Sequence, residues 1–278
     1  MPRQDVYFLH IEKTAGSSLG QIIRSAYPTE SVLPVFQCEQ LPHLSLHAIR
    51  QCHCFTGHFG TALYSLLDRP VSTITVLRDP FERTISHLGL LHRNISDYSH
   101  LIDSLPGEIR KQLEPVVRGD LLECLNSPFV MSTMANYQTR ILGIDIDLKT
   151  RCNPDRPIHW HLMEESASDA DMPAIFERAK QRLKDSLVTG TVERFEATVA
   201  LVCKALAIKK PIEIPYINVS HDRRVEGSYR HSGKIPEVLI QHVNQMLAYD
   251  RLLYDFADSL LDQRINENYG RASLKFRP

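Results

Sequence analysis

Residues 8–23, FLHIEKTAGSSLGQII, constrain the fold more than any other stretch: an apolar run stops at one lysine and a group of small, hydroxylated residues, then a second apolar run begins. The pattern predicts a strand over 5–11 (DVYFLHI), a tight loop, and a helix from Ser17 to about Ala26. A helix opening directly behind a strand end aims unpaired N–H groups and the positive end of its dipole at one point. That point suits an anion, most often a phosphate. The loop is not a Walker A sequence, because Lys13 precedes Gly16 where that motif needs a lysine after the glycine.

A second strand is predicted over 72–79 (STITVLRD), β-branched and apolar as in a parallel sheet buried on both faces. Its helix start is well marked, with Asp79 as N-cap, Pro80 at the first helical position and Glu82 closing a capping box. Arg78 at this strand end can grip a phosphate bidentately, and Ser86 can donate from the helix beside it. Two phosphate receptors on two strands imply a ligand with two separated anionic ends, such as a nucleotide phosphorylated at both 5′ and 3′ positions.

Further along, a helical stretch is predicted near 41–51. Residues 98–143 read as helical, broken by Pro106, Pro115 and Pro128, and 144–172 as polar and turn-rich. A helix over 173–186, a strand over 187–192 (LVTGTV), a helix from Glu193 or Arg194 to Ala207, and a last amphipathic helix from about Pro236 to Leu261 complete the reading. This alternation favours one α/β domain over residues 1–278, a three-layer α/β/α arrangement around a central parallel sheet with helical insertions.

In the 278 residues, 32 Lys and Arg balance 33 Asp and Glu, so no global field draws a polyanion, and a nucleic-acid partner is not expected. No stretch approaches the roughly 20 apolar residues of a membrane span, and no leader is legible at the N-terminus; a soluble, cytoplasmic protein is expected. The scattered Cys38, Cys52, Cys54, Cys124, Cys152 and Cys203 read as reduced thiols. Cys52, His53, Cys54 and His58, like His159, His161, Glu164 and Glu165, lack the spacing of strong metal motifs, and no metal is expected.

HIEKTAGSSL resembles the phosphosulfate-binding loop, written HIPKTGGTSL, of one branch of the sulfotransferases that use 3′-phosphoadenosine 5′-phosphosulfate (PAPS). VLRDPFERTISHL is similar to that branch's 3′-phosphate motif, LRDPxERxxSxY. The branch includes heparan sulfate 2-O and 6-O sulfotransferases and bacterial relatives. The similarity extends through GHFG (57–60), NYQTRILG (136–143), VTGTVERFEATV (188–199) and NQMLAYDRLLYDFA (244–257). Glu12 stands where the family usually has proline, Ala15 where it often has glycine, and His87-Leu88 where an aromatic would fall.

The resemblance implies a P-loop-like nucleotide-binding fold. It also implies that Lys13 contacts the bridging oxygen and 5′-phosphate, that Thr14, Ala15, Gly16, Ser17 and Ser18 complete the cradle, and that Arg78 and Ser86 hold the 3′-phosphate. His58 matches a histidine proposed as base in the 2-O branch, and an ordinary pKa near 6.5 suits proton abstraction; otherwise it is a turn histidine bonded to a carbonyl. His10 and Glu12 are the reserves. Gln138 and Arg140 fall near the family's acceptor cleft, or they tie two helices together. Trp160 either stacks on a sugar or anchors its own loop, and Arg223, Arg224, Arg230 and Lys234 either close over the 3′-phosphate or are merely solvated. The function expected is transfer of a sulfuryl group from PAPS, as cosubstrate and without a metal, to a hydroxyl of a carbohydrate or glycosylated small molecule. Two rivals remain: a P-loop kinase using ATP and Mg²⁺, and a non-catalytic protein that binds a nucleotide or sulfated glycan.

Overall fold

The computed structural model describes residues 4–97, 107–148, 171–208 and 235–270. The elements run β1 (Val6–Leu9), α1 (Gly16–Arg24), α2 (Leu46–Gln51), β2 (Cys54–Gly57), α3 (Ala62–Leu66), β3 (Ser72–Leu77), α4 (Pro80–Asp97), α5 (Gly107–Arg118), α6 (Leu121–Asn126), α7 (Pro128–Met134), α8 (Tyr137–Gly143), α9 (Met172–Asp185), β4 (Val188–Thr191), α10 (Phe195–Ala205), α11 (Glu237–Met246) and α12 (Ala248–Tyr269). The four strands form one parallel sheet in the order β2-β1-β3-β4, with Val6 opposite both Cys54 and Ser72, and Ile74 opposite Val188.

The central strand is apolar on both faces because both are covered. Tyr7 and Leu9 join a core with Ile49, Phe55, Leu77 and Ile175. Val6 and Phe8 join the opposite core with Leu19, Ile23, Val76 and Val202. Each such large side chain, fully buried, contributes about 1.5–3 kcal/mol. In α1, Leu19, Ile22 and Ile23 recur at helical spacing and face the second core. Helix α12 carries a stripe at four-residue spacing, Leu253 and Ala257 in the first core and Leu261 and Ile265 in the second, and packs against β4. It thereby spans both layers and covers the β4 edge, which would otherwise invite pairing with another chain.

Connectivity defines the site. From β1 the chain passes into α1, on the core face of Val6 and Phe8, whereas the connection from β3 to β4 returns through α9, on the opposite core face, so the connections of these neighbours diverge. In an open α/β sheet, the crevice at such a switch point is where ligands bind.

Several expectations need correction. β2 is a fourth strand that the sequence pattern misses; its CFTG is too short for a periodic signal and lies behind polar Arg50 to His53. Pro115 does not break α5: the helix continues through it to Arg118, without the one bond its missing N–H would have made to the Lys111 carbonyl. Pro128 opens α7 behind Ser127, whose side chain accepts from the Val130 N–H. The stretch near 41–51 divides into a 3₁₀ turn containing Pro42 (Cys38–His43) and α2. The single last helix is two, parted at Leu247, and the second continues to Tyr269. No helix among the described residues is long and apolar enough to cross a membrane.

Candidate functional site

The carboxyl edge of the sheet presents a chemical side chain beyond each strand: His58 after β2, His10 and Lys13 after β1, Arg78 after β3 and Glu193 after β4. His10 extends the β1 ladder through its N–H to the Gly57 carbonyl at 3.2 Å, which sets the His10 and His58 rings 4.1 Å apart. His58 Nδ1 lies 2.9 Å from the His10 carbonyl oxygen. A carbonyl only accepts, so Nδ1 carries the proton and Nε2 of the neutral ring keeps its lone pair. The carbonyl-bonded turn histidine and the base are thus compatible descriptions of one side chain. Gly57 is required here: a Cβ would stand 2.5 Å from the Phe59 ring.

The β1–α1 loop makes its turn with two non-glycine residues in the left-handed region, Lys13 at φ 70° and Ala15 at φ 58°. Each such residue costs about 1–2 kcal/mol. Ala15 is the N-cap of α1, so no side chain caps this helix, and its first turn holds no acidic residue. The leading N–H groups of a nine-residue helix therefore start at the crevice without an N-cap side chain or a first-turn carboxylate, with the His10 ring packed against Gly16. Thr14 is fully buried and donates its hydroxyl to the Ile11 carbonyl at 2.8 Å, so its side chain ties the loop to the end of β1 rather than facing the crevice. Ser18 is buried within the first turn of α1, and Ser17 is exposed on the crevice side beside Gly16. Burial, reinforced by His58, Lys13 and Arg24, holds His10 well below the ordinary histidine range.

Arg78 is fixed by its backbone. Its N–H donates to the Gln138 side-chain oxygen at 3.0 Å and its carbonyl accepts from Gln138 Nε2 at 2.9 Å, so both ends of a fully buried amide clasp the backbone of one residue. The guanidinium reaches the Lys13 carbonyl at 3.4 Å and Glu82 at 3.6 Å. Ser86 lies one turn beyond Glu82 on the same face of α4. Gln138 is thus a positioning residue for Arg78, while Arg140 donates to the Ser132 carbonyl on the preceding helix. The cap of α4 differs from the expected box. Asp79 does accept from the Glu82 N–H at 3.0 Å, but the Asp79 N–H is taken by Glu193 at 3.0 Å and Glu82 turns to Arg78 instead. Arg251 of α12 holds the other Asp79 oxygen at 2.7 Å.

Sequence reading missed a buried network beneath the loop. Glu12 and His87, both departures from the sulfotransferase pattern, meet: Oε2 lies 3.2 Å from Nδ1. The Glu12 carboxylate is thereby directed to α4. Arg83, fully buried, donates to the Glu12 carbonyl at 3.3 Å and lies 4.0 Å above the Tyr137 ring. Burial pushes its proton off while Tyr137, Asp250 and Glu12 hold it on. The i, i+4 spacing of Arg83 and His87 in the sequence was the available signal.

Asp250, also buried, accepts from the Gln138 N–H, the Thr139 N–H and the Thr139 hydroxyl at 3.1, 2.7 and 2.8 Å. Reciprocally, Asn136 Oδ1 accepts from the N–H groups of Tyr249 and Asp250 at 3.0 and 3.1 Å. The starts of α8 and α12 therefore cap each other.

The five described cysteines are buried thiols, and burial pushes Cys54 and Cys124 up to about 12, beyond nucleophilic use at neutral pH. Among the described residues no cluster of His, Cys, Asp or Glu is placed to hold a metal. Cys152, His159, Trp160, His161, Glu164, Glu165, Arg223, Arg224, Arg230 and Lys234 lie outside the described residues. Fold and site together define an α/β protein with an uncapped helix start, a lysine and an arginine at the switch point of a parallel sheet. No protein-family model matches the chain, and no curated protein gives a significant match.

Proposed function

We propose that the chain is a PAPS-dependent sulfotransferase acting on a hydroxyl of a carbohydrate or small-molecule acceptor, on a P-loop-like fold. One observation carries the reading: α1 opens without a side-chain cap or a first-turn carboxylate beside Lys13, and Arg78 ends the neighbouring strand. Two anion receptors across one crevice suit a nucleotide with separated 5′ and 3′ charges. PAPS supplies a sulfuryl group already activated on a phosphate leaving group. Lys13 and the N–H groups of residues 14–18 neutralise charge at the 5′ end, in a preorganised site that needs no reorientation during reaction. Arg78 and Ser86 fix the 3′ end and hence the register. His58 Nε2 takes the acceptor proton, and its Nδ1–H bond to the His10 carbonyl keeps the ring in the right tautomer.

Calorimetric titration with 3′-phosphoadenosine 5′-phosphate (PAP), AMP and ATP with Mg²⁺ tests this. PAP should bind at micromolar concentration and AMP much more weakly, and Arg78→Ala should weaken PAP by about 1.5–3 kcal/mol, roughly 10- to 150-fold. A preference for ATP with Mg²⁺ would replace the reading with a kinase. Tight PAP binding without turnover in any acceptor screen would leave a binding protein.

A further inference from the structure

Lys13 stands in the anion loop on a left-handed backbone, φ 70°, that a lysine adopts reluctantly. Such a conformation persists only where its surroundings over-determine it. Peptide units are planar, so fixing the units on both sides of Lys13 fixes its φ and ψ. Both are held from the neighbouring β3–α4 segment. The Glu12 carbonyl accepts from Arg83 Nε at 3.3 Å, and the Lys13 carbonyl accepts from Arg78 Nη1 at 3.4 Å.

Packing alone does not account for Arg83. Its side chain is fully buried, its guanidinium lies 4.0 Å over the Tyr137 ring, and its Nη1 has no hydrogen-bond partner among the described residues. An unmet charged donor in the interior is destabilising, and an apolar chain of similar length would fill the space without it. What the guanidinium adds is its hold on the loop and its contact with His87.

His87, one turn further along α4, sets the charge. Its Nδ1 stands 3.2 Å from Glu12 Oε2 and 3.3 Å from Arg83 Nη2, so one ring nitrogen lies between a carboxylate and a guanidinium. The carboxylate is thereby drawn toward α4. Left on the loop beside the lysine, it would oppose the anion that the lysine holds.

We infer that Arg83 and His87 are positioning residues for Lys13: Arg83 fixes the peptide that precedes the lysine, and His87 keeps the Glu12 carboxylate away from the bound anion. The inference rests on the sulfuryl-transfer reading only for the nucleotide, while the hold on Lys13 stands on the network itself. Glu12 and His87, two departures from the family pattern, then form one exchange in which each compensates the other.

The test is calorimetric titration of the full chain with PAP, AMP and adenosine 3′-phosphate. The ratio of PAP to adenosine 3′-phosphate affinity reads the 5′ site of Lys13, and the ratio of PAP to AMP affinity reads the 3′ site. In Arg83→Met the first ratio should fall about 10-fold and the second should stay within about 2-fold. His87→Leu should lower the first ratio severalfold, and adding Glu12→Gln to it should restore the ratio, because the unpaired carboxylate is then gone. Should Arg83→Met fail to fold, Arg83→Lys, which keeps the charge without the fork, takes its place with the same direction of change. A fall of both ratios together, no change in either, or a His87→Leu loss that Glu12→Gln does not restore overturns the inference. Inorganic pyrophosphate separates the two readings. If the parent chain binds pyrophosphate but not PAP, and that binding is lost in Lys13→Ala and weakened in Arg83→Met, the positioning stands and the sulfuryl-transfer reading falls. PAP binding with a first ratio unmoved by the variants does the reverse, and binding of neither anion removes both.

Discussion

A methyl group at position 15 sits on a backbone that alanine adopts reluctantly, at φ 58°. This gives a physical reason for the glycine common at this place in the resembling loops: the turn delivering Gly16 to the helix start needs a left-handed residue before it. Ala15→Gly should relieve about 1–2 kcal/mol of strain and lose about 0.4–1 kcal/mol to unfolded-chain entropy, for a net change of about 0–1.6 kcal/mol in favour of stability. Ala15→Val should lose about 2 kcal/mol or more, because a β-branched side chain is far less tolerant of positive φ. Urea denaturation of the three proteins reads the order; valine as stable as alanine would refute the left-handed turn. At this scale much of the site was legible. Lys13, Gly16, Arg78 and His58 announce themselves by residue type beside a strand end. Glu12 and His87 did not, since 75 residues separate them along the chain (87 − 12) and only folding shows that they meet.

Among the elements, α8 and α12 depend on one another through Asn136 and Asp250. Asn136 is itself left-handed, at φ 48°, a conformation asparagine tolerates better than alanine. Asn136→Ala should therefore lose a cap worth about 0.5–2 kcal/mol and add about 1 kcal/mol of backbone strain. Asn136→Gly loses only the cap, so chemical denaturation should find it roughly 1 kcal/mol more stable than the alanine variant. Equal stabilities would show that the backbone term is absent. The strand–helix units were readable because their apolar periods are strong and their boundaries carry Pro80, Asp79 and small residues. The break at Leu247 was unreadable: no proline or glycine marks it, and its cause is an asparagine side chain arriving from another helix.

For the whole molecule, the parallel sheet places every reactive group along one edge, and the electrostatics of that edge couple to folding. His10 is held well below its ordinary value of 6.5 by burial, then by His58, Lys13 and Arg24. Folding then releases a proton in mildly acid solution. The His10 contribution is present in full above about pH 6.5 and is lost as pH falls through its lower folded value. Asp250, raised above 3.8 by burial, acts oppositely, losing stability as pH rises from there through its folded value. Thermal midpoints between pH 7.5 and 5 should thus fall less steeply in His10→Gln than in the parent chain, and parallel curves would remove His10 from the account. The alternation of strands and helices foretold a parallel sheet, but not its order, because the placement of β2 beside β1 depends on pairing that no local pattern encodes.

The reciprocal caps also join two distant parts of the chain into one mechanical unit. Asp250 anchors the peptide that carries Gln138, and Gln138 clasps the backbone of Arg78. Releasing the start of the last long helix therefore loosens the arginine at the sheet edge. Conversely, an anion that immobilises Arg78 would brace a helix contributed by the far end of the polypeptide, so occupancy of the crevice is felt as stiffness near residue 250.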